Sequence, residues 1–303
     1  MFLLFIATVR KSYSRNLNGI LMFCCVRFLR ASSVASKECE LILHENGLAH
    51  VILNRPEAKN ALGRTLVSQL REILAGLRSQ PASAVRAVVL SSKIPGVFCA
   101  GADLKERATM SPPEVSAFVD SLRALFAEME RLPVPTIACI EGAALGGGLE
   151  MALACDMRIV ASNASLGLPE TSLAIIPGAG GTQRLPRLIG ASKAKELMFT
   201  ARRITGNESF LLGIANHVVS ADVADKDKSP VVEKAVEIAV QIAQNGPIAV
   251  RAAKQAVDVG LQGDIHSGFE IEKLCYAQVI PTRDRLEGLQ AFREKRKPAY
   301  VGQ

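Results

Sequence analysis

What the 303-residue chain lacks narrows its function before any motif is considered. Its most apolar runs, residues 1–9 and 17–26, stop well short of the ~20 residues that a membrane-spanning helix needs. No transmembrane helix is expected. It has no Cys-x-x-Cys pair, so structural zinc is not expected. Its four histidines, His44, His50, His217 and His266, are scattered without metal-ligand spacing, and no metal site is read from them. Collagen-like and mucin-like repeats are absent. A composition of 49% apolar and 21% charged residues is that of a folded domain rather than a disordered chain.

Acid is also missing from one place. No Asp or Glu precedes Glu38, whereas Arg10, Lys11, Arg15, Arg27, Arg30 and Lys37 are all basic. The rest of the chain carries 30 basic against 29 acidic residues, so six of the seven net positive charges belong to the leading segment and not to a nucleic-acid face. Scattered arginines and serines among bulky apolar residues, with no acid, make residues 1–37 an expected mitochondrial import leader; a secretory signal is the competing reading, disfavoured because the charges follow the apolar run at 1–8 instead of preceding it. Seven cysteines include Cys24 and Cys25 in that leader. The five others, Cys39, Cys99, Cys139, Cys155 and Cys275, read as reduced and mostly buried.

Residues 40–44 and 49–54 alternate around Glu45-Asn46-Gly47, which predicts a hairpin. Leu62, Leu66, Val67, Leu70, Ile73, Leu74 and Leu77 then recur at helical spacing, with Arg64, Arg71 and Arg78 on the flank of that face. Strands are expected at 84–91, 135–140 and 157–161, and helices at 112–131 and 146–154. This alternation points to an α/β core over 38–224. Past a polar seam at 222–230, residues 231–244, 248–260, 265–279 and 284–295 all show helical period, giving a helical C-terminal region over 225–303.

Three clusters stand out as chemistry: Phe98-Cys99-Ala100-Gly101-Ala102-Asp103, Ala144-Leu145-Gly146-Gly147-Gly148-Leu149-Glu150 and Gly167-Leu168-Pro169-Glu170. Small residues between a strand and a helix start let another molecule approach the backbone N–H groups, where the helix dipole favours negative charge. Two such turns together offer converging donors for a carbonyl oxygen that becomes an oxyanion. Glu150 and Glu170 then form a pair suited to moving protons between water and carbon. Singly, a glycine turn is a tight connection and a glutamate at a helix start is a dipole partner; their combination and order carry the reading. Cys99 beside the first turn is a weaker thiol candidate with no histidine nearby in sequence. Gly178-Ala-Gly-Gly-Thr182 misses both common nucleotide-loop spacings.

Phe98-Cys-Ala-Gly-Ala-Asp-Leu-Lys-Glu106, Ala144-Leu-Gly-Gly-Gly-Leu-Glu150, Gly167-Leu-Pro-Glu170 and Ile176-Pro-Gly-Ala-Gly-Gly-Thr-Gln-Arg184, in this order, resemble the signature segments of the enoyl-CoA hydratase/isomerase (crotonase) superfamily. The resemblance covers residues 40–303. It implies a spiral of β-β-α units followed by helices that trimerise, with hexamers built from two trimers. It also implies an acyl-CoA substrate whose thioester oxygen lies between the N–H groups of Ala100 and Gly147, with Gly101, Ala102, Asp103 and Leu104 contacting the substrate. Glu150 would activate water and Glu170 would protonate Cα. Phe292 and Lys295 would cover the CoA nucleotide, and no cofactor beyond the substrate is needed. Leu104-Lys-Glu-Arg107, Leu173-Ala-Ile-Ile176 and residues 275–288 are most similar to the branch that hydrates 3-methylglutaconyl-CoA during leucine breakdown in the mitochondrial matrix. The alternative is a short-chain enoyl-CoA hydratase of fatty-acid oxidation. A further alternative is a moonlighting AU-rich RNA-binding role, since the methylglutaconyl-CoA branch also binds such RNA through a lysine-rich helix after Asn-Arg-Pro. Here Asn54-Arg-Pro56 leads only to Lys59 and the sparse Arg64, Arg71, Arg78 stripe, with no aromatic residues interleaved, so RNA would bind weakly at best.

Overall fold

A computed structural model of the protein describes residues 37–221 and 229–303. Apart from Lys37, the expected leader lies outside the described residues, as do seam residues 222–228.

The predicted hairpin forms from β1 (Cys39–Leu43) and β2 (Leu48–Leu53), paired antiparallel with Leu43 opposite Ala49. Its turn closes at Gly47, whose φ of 82° lies in the left-handed region that a residue with a Cβ rarely adopts. Helix α1 (Arg64–Arg78) follows and buries Leu66, Val67, Leu70, Leu74 and Leu77, five of the residues that set its period. Next come β3 (Ala87–Ser92), β4 (Val97–Cys99), α2 (Leu104–Arg107) and α3 (Pro112–Glu130). Proline at its first position and a Ser111–Glu114 capping box start α3 where the sequence places it. The chain continues through β5 (Thr136–Ile140), β6 (Ala143–Leu145), α4 (Gly147–Leu153), β7 (Met157–Ala161) and β8 (Ser165–Gly167). A 3-10 turn (Pro169–Leu173), α5 (Gly181–Ile189), α6 (Ala191–Phe199), β9 (Ile204–Thr205), α7 (Gly206–Leu211) and β10 (His217–Val219) complete the α/β part. Four helices end the chain: α8 (Pro230–Ala243), α9 (Pro247–Gly260), α10 (Ile265–Val279) and α11 (Arg283–Glu294).

The strands form two sheets. The larger has the order β1-β2-β3-β5-β7-β10 and is parallel except for the opening hairpin; the smaller has the order β4-β6-β8-β9. Each of the consecutive pairs β3-β4, β5-β6 and β7-β8 sends one strand to each sheet; helices return the chain to the larger sheet after the first two pairs, and after the third it passes through β9 of the smaller sheet before reaching β10. This is the β-β-α spiral that the resemblance implied. Its consequence is positional: β4, β6 and β8 lie side by side, so the turns that leave their C-terminal ends are neighbours. In parallel α/β arrangements those ends are where ligands bind.

The core runs continuously from the larger sheet into the helices. Helix α8 places Val231, Ala235 and Ala239 in the same buried cluster as β3, β5 and β7. Helices α9 and α10 pair tightly where Gly260 faces Gly268. Beyond them, Phe269, Leu274, Tyr276, Ile280, Leu286, Leu289 and Phe292 are exposed apolar side chains of α10 and α11 and the residues next to them. No helix among the described residues is long and apolar enough to cross a membrane.

One buried cation anchors the far end of α4. Arg158 is 4% exposed, and its guanidinium donates to the carbonyls of Ile214 (2.7 Å), Ala152 (3.2 Å) and Cys155 (2.7 Å). A positive group there adds donors to carbonyls at the helix end and complements its dipole. Arg158→Ala strands several buried acceptors and leaves a cavity, so urea unfolding should show a loss of about 3 kcal/mol or more.

Candidate active site

The first small-residue turn is shaped by the loop that precedes α1. Asn60, fully buried at φ 54°, donates from Nδ2 to the carbonyl of Phe98 at 2.9 Å and to Ser92 Oγ at 2.8 Å. The Cys99 thiol donates to the Asn60 carbonyl, the Ala100 N–H donates to the Lys59 carbonyl at 3.1 Å, and the Leu62 N–H donates to the Gly101 carbonyl at 2.7 Å. The Asp103 N–H donates back to the Leu62 carbonyl. The Phe98 and Gly101 carbonyls and the Ala100 and Asp103 amides of this turn are thus all held by the 59–62 loop. Among the described residues, the Ala102 N–H has no acceptor.

The second turn meets the first with no side chain between them. Gly101 has φ 99°, and a Cβ on it would lie 2.8 Å from the Leu145 carbonyl oxygen and 3.4 Å from Gly147 N. A Cβ on Gly147 would lie 3.5 Å from Ala102 N, and one on Gly148 would lie 2.2 Å from the Cys99 carbonyl oxygen. Gly146 has φ 52° and starts α4, leaving the Gly147 N–H as a first-turn donor with no acceptor in the helix.

This geometry corrects one expectation. Ala100 was expected to supply the first oxyanion donor, but its N–H is already bonded to Lys59. The free amide nearest to Gly147 belongs to Ala102, two residues on. Sequence spacing marks the turn as a whole, and only the pairing with the 59–62 loop shows which of its amides is left over.

Both glutamates face the same cleft, a cavity of about 720 Å³ that Ala100, Gly101, Ala102 and Gly147 also line. They are held very differently. Glu150, 3% exposed in the first turn of α4, accepts on one oxygen, Oε1, from the N–H groups of Ala179 (2.8 Å) and Gly181 (2.7 Å). Burial pushes its carboxyl above the ordinary range, while those two amides, Arg184 and Arg123 pull the other way. Arg184 grips Glu130 through two bonds and donates to the Ala179 carbonyl, and Arg123 donates to the Gly178 carbonyl. The glycine-rich 178–182 segment, which misses the nucleotide spacings, is therefore the cradle of Glu150. Nothing in its composition signals that role, because the acid it holds is about thirty residues away.

Glu170, in the 3-10 turn after β8, has no such cradle. Its Oε2 is buried without a partner among the described residues, and Oε1 lies against the bare α-carbon of Gly146, 2.9 Å from where a Cβ would stand. Burial pushes its carboxyl up to about 7; the charge of Glu150 adds to this, while its own N–H and Arg107 oppose it. A pair with one carboxyl held by two amide donors and one poised near neutrality is the arrangement expected of a base and an acid.

The other expected site residues divide. Leu104 lines the cleft and is 52% exposed, joined there by the exposed Leu173 and Ile176 as an apolar wall. Asp103, expected to contact substrate, is outside the lining. Its carboxylate caps α2 through the N–H groups of Lys105 and Glu106 and pairs with Arg55 at 2.8 Å. Burial raises its carboxyl, but these partners outweigh burial and hold it below the ordinary range. Phe292, 84% exposed on α11, and Lys295 at the end of that helix do not line the cleft within one chain. Cys99 is fully buried, and burial pushes its thiol up to about 12, which removes it as a nucleophile at neutral pH. The arginine stripe of α1 is occupied: Arg64 pairs with Glu106 and Glu114, Arg71 pairs with Glu128, and Arg78 donates to the Glu128 carbonyl.

Comparison with known proteins agrees with this arrangement. The model of the enoyl-CoA hydratase/isomerase family matches residues 44–303. The chain is 52% identical over 265 residues to the mitochondrial enoyl-CoA hydratase domain-containing protein 2 of Bos taurus, covering 88% of each. It is 50% identical over 257 residues to the mitochondrial methylglutaconyl-CoA hydratase of Homo sapiens, covering 85% of this chain and 74% of that protein. The crystal structure of an enoyl-CoA hydratase from Bacillus anthracis superposes with a TM-score of 0.83 at 48% identity, covering 88% of this chain and all of that one. The chain belongs to the enoyl-CoA hydratase/isomerase family, and its fold is that of the crotonases. It is an enzyme of the hydro-lyase type.

The raised carboxyl of Glu170 also bears on stability. Its charged form is penalised in the fold and not in the unfolded chain, so stability falls as pH rises from the ordinary 4.5 through about 7. Glu170→Gln removes the penalty. At pH 8 the variant should melt above wild type by about 2–5 °C, on the order of 1–2 kcal/mol once solvent access is allowed for. The difference should shrink towards pH 5 in calorimetry at both pH values.

Proposed function

We propose that the protein adds water reversibly across the conjugated double bond of a 2-enoyl-CoA, with 3-methylglutaconyl-CoA as its physiological substrate. The observation that carries this reading is the convergence of two unpaired main-chain amides and two unlike carboxyls on one cleft. Addition of hydroxide to Cβ pushes charge onto the thioester oxygen. The amides of Ala102 and Gly147 hold that charge, each worth ~2.7–4 kcal/mol if it behaves as a typical oxyanion donor. Glu150 takes a proton from the attacking water, and Glu170 gives one to Cα. CoA is part of the substrate, and the chemistry calls for no further cofactor.

Water addition starts with Glu170 protonated and Glu150 ionised, and it ends with the proton on Glu150. The reverse reaction therefore starts from the same total protonation, one proton shared by the pair. Hydration and dehydration then share one pH profile for kcat/KM, as a fixed equilibrium constant requires.

Similarity to a methylglutaconyl-CoA hydratase supports the branched substrate, and arginines on the cleft wall suit its second carboxylate. The exposed Leu104, Leu173 and Ile176 favour a second reading, a short unbranched enoyl-CoA. Mitochondrial relatives and the acid-free residues 1–37 support action in the mitochondrial matrix. The exposed apolar residues of α10 and α11 support assembly into trimers or hexamers, in which Phe292 and Lys295 reach the CoA of a neighbouring subunit. With the α1 arginines paired to acids and carbonyls, RNA binding is not part of this reading.

The test follows loss of the conjugated thioester absorbance with crotonyl-CoA and 3-methylglutaconyl-CoA. Turnover is expected with both and a higher kcat/KM with the branched ester; folded protein that turns over neither removes the assignment. Glu150→Gln and Glu170→Gln should each lower kcat by ~10²- to 10⁴-fold with the fold intact. In wild type, kcat/KM should fall as pH rises through about 7, where the pair loses its shared proton. That limb should be absent from the residual activity of Glu170→Gln.

A further inference from the structure

Three arginines line the cleft: Arg107, Arg123 and Arg203. Arg123 is committed to the Gly178 carbonyl and to Asp120. Arg203 is exposed, packed beside Gly167 at the base of the Glu170 turn. Neither it nor Arg107 pairs with an acid among the described residues, but Arg107, at the end of α2, is half-buried where Arg203 is exposed. The Arg107 guanidinium makes no hydrogen bond or ion pair among the described residues, although its main-chain N–H is bonded within the turn to the Asp103 carbonyl. The same cleft is also lined by the exposed apolar side chains of Leu104, Leu173 and Ile176.

An arginine in a cleft also lined by apolar side chains has a definite chemical meaning. While the cleft is open to water the cation is solvated. An alkyl chain seated against it would strip that water and return nothing, whereas a carboxylate would pair with the guanidinium through two parallel hydrogen bonds. The location selects the acyl end of the substrate. Arg107 is near enough to Glu170 to act on its charge, and Glu170 is the group assigned to Cα. The geometry points to Arg107 as the residue that reads a carboxylate at the far end of the acyl chain, making the preferred substrates CoA esters of unsaturated dicarboxylic acids. This deepens the hydratase reading and rests on it for the direction of the bound substrate.

The test compares esters that differ only in the terminal carboxylate, so contributions from CoA cancel. Binding of glutaryl-CoA and butyryl-CoA, which are saturated and cannot be hydrated, is measured by calorimetry; turnover is measured with glutaconyl-CoA and crotonyl-CoA. Wild type should bind glutaryl-CoA at least ~10-fold tighter than butyryl-CoA, and Arg107→Met should abolish that preference. In turnover, the kcat/KM ratio of glutaconyl-CoA to crotonyl-CoA should drop ~100-fold in Arg107→Met, with Arg107→Lys keeping part of it through charge without the planar fork. A change in Glu170 acidity would scale both esters alike and leave the ratio untouched. Wild type with no preference for glutaryl-CoA overturns the proposal. So does an unchanged ratio in Arg107→Met, or equal weakening of both saturated esters, which would place a CoA phosphate on Arg107. Failure of the hydratase reading is separately visible as wild type that binds the saturated esters and turns over neither unsaturated one.

Discussion

The site depends on main chain touching main chain. Two turns, one leaving β4 and one leaving β6, approach so closely that a methyl group on Gly101 or Gly148 would collide with a carbonyl of the other segment. The adjacency of β4 and β6 in the smaller sheet brings the turns together, and the absence of side chains lets them close. The 59–62 loop then takes the Ala100 and Asp103 amides, leaving those of Ala102 and Gly147 without an acceptor where the turns meet. Because both belong to a packed backbone, they require no reorganisation as charge develops, which is the physical basis of oxyanion stabilisation.

Around that fixed point the two acids are given opposite environments. Glu150 is solvated by protein, through amides that Arg184 and Arg123 hold in place from behind. Glu170 is half-buried, with its Oε2 out of reach of water and without a donor among the described residues. One chemical group in two settings yields two acidities, and the direction of proton flow follows from the difference. The fold pays for this at Glu170, whose charged form is unfavourable where it sits.

Much of this was legible in the sequence. Helix α1 could be read from Leu66, Val67, Leu70, Leu74 and Leu77 because its period matches a single buried face, and the β1-β2 hairpin could be read from alternation around Gly47. The clusters at 98–103, 144–150 and 167–170 marked the cleft because close backbone approach demands small residues. The smaller sheet was hidden from periodicity, since β4, β6 and β8 are three residues each and too short to alternate. The donor at Ala102 rather than Ala100 was hidden because it is set by hydrogen bonds to residues some forty positions earlier. Asp103 was misread for a related reason: its partner Arg55 is distant in sequence, so a capping and pairing residue looked like part of the binding surface. The cradle of Glu150 was recognised only as a family segment, since amide donors have no residue signature.

The pair of hydrogen bonds donated by Ala179 and Gly181 to a single oxygen of Glu150 has a stereochemical outcome. With Oε1 occupied by two amide protons, Oε2 is the basic site that remains, and in the proposed reaction the water must lie on that side of the carboxylate. A nucleophile confined to one side reaches one prochiral face of the bound alkene, and the same rigid cleft supplies the acid from Glu170. The product would therefore emerge as a single enantiomer, its handedness fixed by which carboxylate oxygen the 179–181 segment has already claimed.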